Sequence, residues 1–192
     1  MSKIVLLLEE PSMKEALQGL LPKILPPEVH WQAIPHEGKR DLEGSIPRKL
    51  RGWREPGVRF IVMRDQDQAP CLVLKNKLLT LCQQAFRPDS MVRIVCHELE
   101  SWFLGDLKAV GQAYDLPDLH TLQDKRKFKD PDHLSSPYLE LKKLVKDYQK
   151  VSGARAIGPR LDPDNNRSKS FQVFIQGIRR IVEQELGKTT RV

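Results

Sequence analysis

The feature that most constrains the fold is a series of apolar, strand-like runs that are separated by helical patterns and end in acidic residues. Residues 4–8 lead into Glu9-Glu10, residues 58–63 into Asp65-Gln66-Asp67, and residues 91–96 into His97-Glu98-Leu99-Glu100. Strands that alternate with helices pair in parallel and favour a doubly wound sheet. The carboxyl ends of parallel strands share one edge, where the sites of open α/β folds lie. The sequence therefore predicts an α/β fold with acidic side chains gathered at that edge.

The predicted elements divide the chain into two regions. Within residues 1–110, a further short strand covers 29–34, and helices are predicted over 12–25, 41–53, 71–85 and 98–110. Beyond them the pattern predicts a long loop over 111–136, a helix over 138–148, a Gly-, Pro- and Asn-rich loop over 151–167 and a final helix over 168–186. We expect residues 1–110 to form the α/β core. Residues 111–192 should form a basic loop and helical extension packed on the same domain.

The positive charge of the chain is concentrated in its second region. The net charge is +7, and residues 121–192 carry 16 Lys/Arg against 9 Asp/Glu, so the whole excess lies there. Such asymmetry favours a polyanionic partner such as DNA or RNA, although a solvated basic surface would give the same composition. The predicted loop and the start of the final helix supply the candidate phosphate contacts, namely Arg155, Arg160, Arg167 and Lys169.

The composition also indicates the environment of the chain. No apolar run approaches the roughly 20 residues that span a bilayer, so no membrane association is expected. The three cysteines, Cys71, Cys82 and Cys96, are odd in number and lack metal-binding spacing. This pattern is typical of buried thiols in a reducing cytoplasm, where we expect the protein to be located.

The acidic residues at the predicted sheet edge point to a divalent cation. Carboxylates that converge without a cationic partner repel one another, and hard oxygen ligands suit Mg²⁺ or Mn²⁺. Asp65 and Asp67 would hold the metal, with Glu100 or Glu9 completing the shell. Glu9 could instead act as general acid or base. Glu10 and Glu98 are secondary acids, and solvated loop acids are the structural alternative for the whole group.

Three chemistries share this arrangement. Phosphatases of the haloacid dehalogenase type carry Asp-x-Asp after their first strand and follow it with Thr or Val, whereas Gln68 follows here. Phospho-receiver domains require a hydroxyl residue after the fourth strand, where His97-Glu98 stands, and a Lys after a fifth strand. The third arrangement, a Glu after the first strand and Asp-x-Asp after a later one, is that of Toprim domains in primases, topoisomerases and overcoming-lysogenization-defect nucleases.

The chain resembles the third class most closely. Residues 7–12 look like the Toprim glutamate motif, with Glu9 at the glutamate, and residues 63–67 match Asp-x-Asp. More narrowly, residues 9–12, 64–67, 98–102 and 166–171 resemble the DUF4276 family, which is grouped with Toprim-like proteins. The resemblance extends to RloB-like proteins, which often accompany an ATPase in phage-defence loci. One departure is Glu10-Pro11, which replaces the Gly that usually follows the motif glutamate.

The resemblance implies a Toprim-like, doubly wound α/β domain. It also implies a Mg²⁺- or Mn²⁺-dependent nuclease that cleaves nucleic-acid phosphodiesters, with phage defence as a candidate role and with Glu9, Asp65 and Asp67 as catalytic residues. The resemblance to RloB-like proteins implies an ATPase partner protein as well. The sequence contains no P-loop motif, so any ATP hydrolysis is expected to come from such a partner. The alternative is a non-catalytic regulatory or binding subunit of an ATPase-containing complex, in which the acidic residues are structural.

Overall fold

A four-stranded parallel sheet forms the centre of the molecule. The computed structural model describes the backbone of residues 3–189 and the side chains of residues 3–185. The strands are β1 (Lys3–Leu8), β2 (His30–Pro35), β3 (Val58–Asp65) and β4 (Met91–Val95), and they lie side by side in the order β2-β1-β3-β4. Every neighbouring pair is parallel. The predicted doubly wound α/β fold is therefore confirmed.

Eight α-helices surround the sheet in the described part of the chain. They are α1 (Pro11–Leu20), α2 (Lys39–Gly52), α3 (Cys71–Gln84), α4 (Glu100–Leu104), α5 (Leu107–Ala113), α6 (Pro137–Leu144), α7 (Lys150–Ile157) and α8 (Lys169–Thr189). Within these residues, no helix is long and apolar enough to cross a membrane.

Alternation along the central strands creates two apolar cores. Successive side chains of a strand point to opposite faces, so Val5 and Leu7 face one side of β1 while Leu6 and Leu8 face the other. Val5 and Leu7 pack with residues of α2 and α3. Leu6 and Leu8 belong to a larger core with α1 and the helices that follow β4. Because both faces of β1 and β3 are covered, these strands read as continuous apolar runs.

The region after residue 110 is more helical than its composition predicted. The expected loop over 111–136 contains the end of α5 and short 3₁₀ turns at Pro117–Asp124, Arg126–Phe128 and Pro131–His133. The expected loop over 151–167 begins with α7 and a 3₁₀ turn at Gly158–Arg160, so the loop prediction was wrong there. Glycine misled the prediction, because Gly158 is required by close packing: a Cβ there would lie 2.5 Å from the Ala16 carbonyl oxygen.

The helix predicted over 98–110 is also divided in two. It begins at Glu100 and stops at Leu104, and α5 starts at Leu107. Asp106 causes the restart because its side chain accepts a hydrogen bond from the Ala109 backbone N–H at 3.0 Å, which caps α5. The Asp106 side chain also accepts a 2.8 Å hydrogen bond from the Asp162 N–H, which holds the C-terminal extension against the start of α5.

Candidate acidic site

Three acidic residues from neighbouring strand ends converge at the carboxyl edge of the sheet. Glu9 directly follows β1, Asp65 is the last residue of β3, and Glu100 begins the first helix after β4. The register brings the strand ends together, because Leu8 pairs with Met63 and Asp65 pairs with Val95. All three residues are buried, with Glu100 fully inaccessible.

Asp65 and Glu100 each have one carboxylate oxygen without a partner. Among the described residues, neither Asp65 Oδ1 nor Glu100 Oε2 has a hydrogen-bond partner, although both atoms are buried. Glu100 Oε1 accepts a 2.9 Å hydrogen bond from the buried Tyr148 hydroxyl. A buried carboxylate oxygen without a partner is costly unless a cation or donor reaches it. These two atoms therefore mark an incompletely satisfied polar site.

The pKa values of these groups reflect burial and mutual repulsion. Burial raises the pKa of Asp65 well above its usual range, and the negative charges of Glu10, Glu100 and Glu9 raise it further. Burial is also the main cause of the raised pKa of Glu100, which Lys150 and the Tyr148 hydroxyl oppose. The site therefore favours added positive charge or bound protons.

Glu9 is held by the backbone of the strand beside it. Its Oε2 accepts a 3.0 Å hydrogen bond from the Asp65 N–H and lies 3.7 Å from Arg64 Nε. Burial raises the pKa of Glu9, while the Asp65 hydrogen bond and Arg64 lower it. The nearby negative charges of Asp67 and Glu10 act in the raising direction. Glu9 is thus fixed in place and poised to hold a proton more readily than an exposed glutamate.

Lys150, the first residue of α7, places an ammonium group among these acids. Its Nζ lies 3.4 and 3.5 Å from the two carboxylate oxygens of Glu10. Burial opposes the charged form of Lys150, yet the carboxylates of Glu100, Glu10 and Asp65 raise its pKa. The cluster formed by Glu9, Glu10, Asp65 and Glu100 is therefore partly neutralised from within the chain. We call these four residues the acidic cluster.

Two predicted site residues lie at the margin of the acidic cluster. β3 ends at Asp65, and Asp67 adopts a positive φ of 54° in the following turn. Because the strand does not continue, Asp67 does not share the direction of Asp65, and its carboxylate pairs with Lys39 Nζ at 3.2 Å. Glu98 accepts a 2.9 Å hydrogen bond from the Tyr138 N–H, which anchors the start of α6. Glu100, rather than Glu98, faces the other acids.

A cavity of about 430 Å³ adjoins Asp67 at the same edge. Its wall combines cationic, hydroxyl and imidazole groups with the two marginal acids, and is formed by Lys39, Arg64, Asp67, Gln68, Ala69, His97, Glu98, Ser135 and Ser136. The His97 ring is oriented by a 2.8 Å contact between its Nδ1 and the Asp67 carbonyl oxygen. The cavity offers space and donors for an anionic group beside the acids.

The four basic residues predicted to contact phosphates are dispersed. Arg155 pairs with Glu15 at 2.6 Å, and Arg167 pairs with Asp124 at 2.5 Å. Arg160 and Arg167 line a cavity with Lys23. None of the four acids lines that cavity. Lys169 lies near the acidic edge, since it lines a cavity with Cys96 at the end of β4. Of the four, Lys169 is the one that lines a cavity at the end of β4.

The side chains are not arranged in a finished metal-coordination shell. Within the residues whose side chains are described, no group of three or more His, Cys, Asp or Glu is positioned to hold a metal ion. The Lys150 ammonium faces the carboxylates that would share such an ion. The donor chemistry of the site is that of a hard-cation site, but its present conformation holds an ammonium there instead.

Comparison with known proteins identifies the family. A model of the family described as "Domain of unknown function (DUF4276)" matches residues 8–179. The chain belongs to the DUF4276 family. The structure is similar to the C-terminal region of the Burkholderia pseudomallei OLD protein, with a TM-score of 0.48 and 15% sequence identity over 93% of this chain and 98% of that chain. No curated protein matches this DUF4276 member.

Two functional candidates escaped the sequence analysis of this DUF4276 chain. Tyr148 and Lys150 reach the acidic cluster from a segment predicted as a helix end and a loop start. Neither residue is close in sequence to an acid of the cluster, so spacing carried no signal. Glu10 was treated as secondary, yet it provides the contact to Lys150. A buried tyrosine beside a buried glutamate becomes visible only once the fold places them together.

Proposed function

We propose that the chain is a divalent-cation-dependent phosphodiesterase that acts on nucleic acid through the acidic cluster. One observation carries the proposal: Asp65 and Glu100 direct unpartnered, buried carboxylate oxygens into a cluster of four acids at the carboxyl edge of a parallel sheet. That edge is the usual location of sites in open α/β folds. The family resemblance to Toprim-like nucleases supports the same chemistry.

The donor set fits Mg²⁺ or Mn²⁺. Asp65 and Glu100 would hold the ion through their free oxygens, with Glu9 or Glu10 contributing a third carboxylate. When bound, the ion supplies Lewis-acid polarisation of a phosphate and activation of water. Lys150 competes for the same negative charge, so ion binding would require its ammonium to move away from Glu10. Asp67, beside Lys39, would act at the edge of the site, on the group that enters the neighbouring cavity.

Glu9 is the best candidate for proton transfer. Its Oε2 is occupied by the Asp65 N–H, while its Oε1 makes no hydrogen bond among the described residues. Because burial raises its pKa, Glu9 can carry a proton at a pH where exposed glutamates are ionised. Such a group can take a proton from water or deliver one to a leaving oxygen, provided that it comes within hydrogen-bonding distance.

Cations beside the acidic cluster would hold the phosphates. Lys39 and Arg64 line the adjoining cavity, and Lys169 lies on the other side of the β4 end. A cluster of carboxylates repels a polyanion, so cations close to it are needed to position the substrate. Arg155, Arg160 and Arg167 stay candidates for more distant backbone contacts, outside the reacting region.

A second candidate function is a non-catalytic subunit of an ATPase-containing complex. The observation that favours it is the internal neutralisation of the acids by Lys150 and Arg64, which gives the cluster a structural role in the absence of any ion. In that case the carboxylates would fix the position of α7 against the sheet. The two candidates differ in whether a divalent cation stabilises the protein through the acidic cluster.

Thermal unfolding with and without a divalent cation distinguishes the two functions. In EDTA, Asp65→Asn should melt at or above the wild-type temperature, because it removes one of several repelling charges. Addition of Mn²⁺ should raise the melting temperature of the wild type and have little effect on Asp65→Asn, since a ligand stabilises only the protein that binds it. Asp164→Asn, which alters an exposed aspartate paired with Arg179, is the control and should respond as the wild type does.

An equal response of wild type and Asp65→Asn to Mn²⁺ would contradict the phosphodiesterase proposal. No response of the wild type at millimolar Mn²⁺ would contradict it equally, and would favour the structural role of the acids. Clear destabilisation of Asp65→Asn in EDTA would identify Asp65 as a structural hydrogen-bond acceptor.

A further inference from the structure

Two of the three cysteines share one cavity next to the acidic edge. Cys71 is the first residue of α3, and Cys96 directly follows the last residue of β4. Both line a cavity of about 240 Å³, and both are half-buried, whereas Cys82 is buried in the core. The expectation that all three are buried thiols was therefore wrong for Cys71 and Cys96. Burial raises the pKa of the Cys96 thiol to about 12, and the neighbouring Cys71 thiol adds to that rise.

The local backbone brings the two cysteines together. After Asp65, the Gln66 N–H bonds to the Val95 carbonyl oxygen at 2.8 Å and the Asp67 N–H to the His97 carbonyl oxygen at 3.0 Å. The chain beyond β3 thus stays alongside the chain beyond β4 before α3 begins. Cys71 follows the loop after β3, and Cys96 lies between Val95 and His97, which hold the start of that loop. A bond between the two sulfur atoms would therefore close the loop.

The surroundings of the pair favour a reactive Cys71. It occupies the first position of a 14-residue helix, next to the positive end of the helix dipole. The cavity is also lined by three cationic residues, Lys75, Arg93 and Lys169, against one acid, Asp132. Partly exposed surroundings with nearby cations are those in which cysteine reacts with oxidants, whereas the buried Cys82 lacks access.

We infer that Cys71 and Cys96 form a reversible, peroxide-sensitive disulfide that closes the turn between β3 and α3. The Cys71 thiolate attacks one peroxide oxygen, breaking the O–O bond and giving a sulfenic acid and water after proton uptake. The Cys96 sulfur then attacks the Cys71 sulfur, its proton leaving with the hydroxyl as a second water. Two thiols are oxidised and one peroxide is reduced. A thiol reductant reverses the reaction by exchange.

The disulfide would act on the candidate site without altering its carboxylates. The closed segment contains Asp67 and begins directly after Asp65, so it forms one wall of the cavity that holds Lys39 and His97. Fixing this turn would restrict entry of a substrate to the acidic edge. This consequence for activity rests on the proposed function, whereas formation of the disulfide does not.

Peptide mapping after peroxide treatment tests the disulfide directly. Cleavage after Lys and Arg places the three cysteines on three different peptides: residues 65–75, 78–93 and 94–108. The reduced protein is treated with hydrogen peroxide, its free thiols are alkylated and the digest is analysed by mass spectrometry without reduction. We expect 65–75 linked to 94–108, loss of two of the three alkylatable thiols and recovery of both after dithiothreitol.

Variants keep the test specific. Cys82→Ser should retain the linked peptide. Cys71→Ser should lack it and keep Cys96 as an alkylatable thiol, whereas Cys96→Ser should lack it and carry Cys71 as a sulfenic or higher acid. The inference is overturned if peroxide leaves all three thiols alkylatable, if it links other pairs, or if Cys71 passes to sulfinic acid without any linked product. A linked peptide with unchanged phosphodiesterase activity would retain the disulfide and reject only its effect on the site.

Discussion

Asp65 combines deep burial with several negative neighbours, and this determines how its charge affects folding. Its carboxyl has a raised pKa, so between the unfolded value of about 4 and the raised folded value the native state binds more protons than the unfolded chain. The stability contribution of Asp65 is therefore complete below about pH 4 and is lost as the pH rises through the folded pKa.

Asp65→Asn should remove this pH dependence, because an amide does not titrate. Measured by urea unfolding in EDTA, the free energy of unfolding of the variant relative to the wild type should increase from about pH 4 to pH 7. A constant difference, or one that favours the wild type increasingly at high pH, would show that Asp65 is ionised and well compensated in the native protein.

Lys150 and Lys142 provide a matched pair for testing the ammonium in the acidic cluster. Each ammonium lies 5.8 Å from the centre of the Tyr138 ring, but Lys150 alone of the two faces the acids. Lys150→Met should lower stability in EDTA by about 1 kcal/mol, a modest value because its side chain is partly exposed. It should also gain more stabilisation from Mn²⁺ than the wild type. Lys142→Met should change neither the stability in EDTA nor the stabilisation by Mn²⁺. Equal behaviour of the two variants would show that Lys150 does not stabilise the acidic cluster.

At the scale of elements, the close approach of α1 and α7 positions the acidic site. A Cβ on Gly158 would lie 2.5 Å from the Ala16 carbonyl oxygen and 2.8 Å from its Cα, both backbone atoms that cannot move aside. Gly158→Ala should therefore destabilise the protein by about 1–3 kcal/mol through overpacking. Because α7 begins at Lys150, the shift should also weaken the contact between Lys150 and Glu10.

Gly44 is the control for this element. It lies within α2, and a Cβ there would meet nothing within 4 Å. Gly44→Ala should stabilise the protein by about 0.5–1 kcal/mol, since alanine favours the helix. Urea denaturation compares the two variants. Similar effects of both substitutions would mean that the crossing of α1 and α7 is not tightly packed.

Whether an element can be predicted depends on how far apart in the sequence the residues that stabilise it lie. The strands and the helices α1 to α3 are local apolar patterns closed by short turns, so the sequence alone indicates them. α7 was read as a loop because Gly153 and Gly158 look like turn residues, although they permit contact with Tyr148 and Ala16. The contact of Gly158 with Ala16 joins residues far apart in sequence, so it cannot be read from spacing.

At the scale of the whole molecule, the order β2-β1-β3-β4 decides which acids meet. Because β1 lies between β2 and β3, and β4 pairs with β3, the ends of β1, β3 and β4 are neighbours. This explains why Glu9, Asp65 and Glu100 could be proposed together from the sequence. The order did not reveal that the turn after Asp65 carries Asp67 toward Lys39, because that depends on the conformation of a single residue.

Much of the positive charge in the second region of the chain is engaged in ion pairs. The excess of positive charge belongs to residues 121–192, yet many of these cations form ion pairs, including Arg155 with Glu15 and Arg179 with Asp164. Net charge predicts a preference for polyanions but not a path along the surface. The cations paired with acids at this edge come from both regions, namely Lys39, Arg64 and Lys150.

The measurement that tests the central claim most directly is phosphodiester cleavage by the purified protein, with single-stranded and double-stranded DNA and RNA as substrates. The wild type should cleave at least one of them in Mn²⁺ and none in EDTA. Asp65→Asn and Glu100→Gln should each reduce the rate by at least about 100-fold, in line with the loss of a metal-supported step. Asp164→Asn should retain the wild-type rate. Cleavage that persists in EDTA or in Asp65→Asn, or no cleavage of any substrate by a wild type that binds Mn²⁺, would contradict the account.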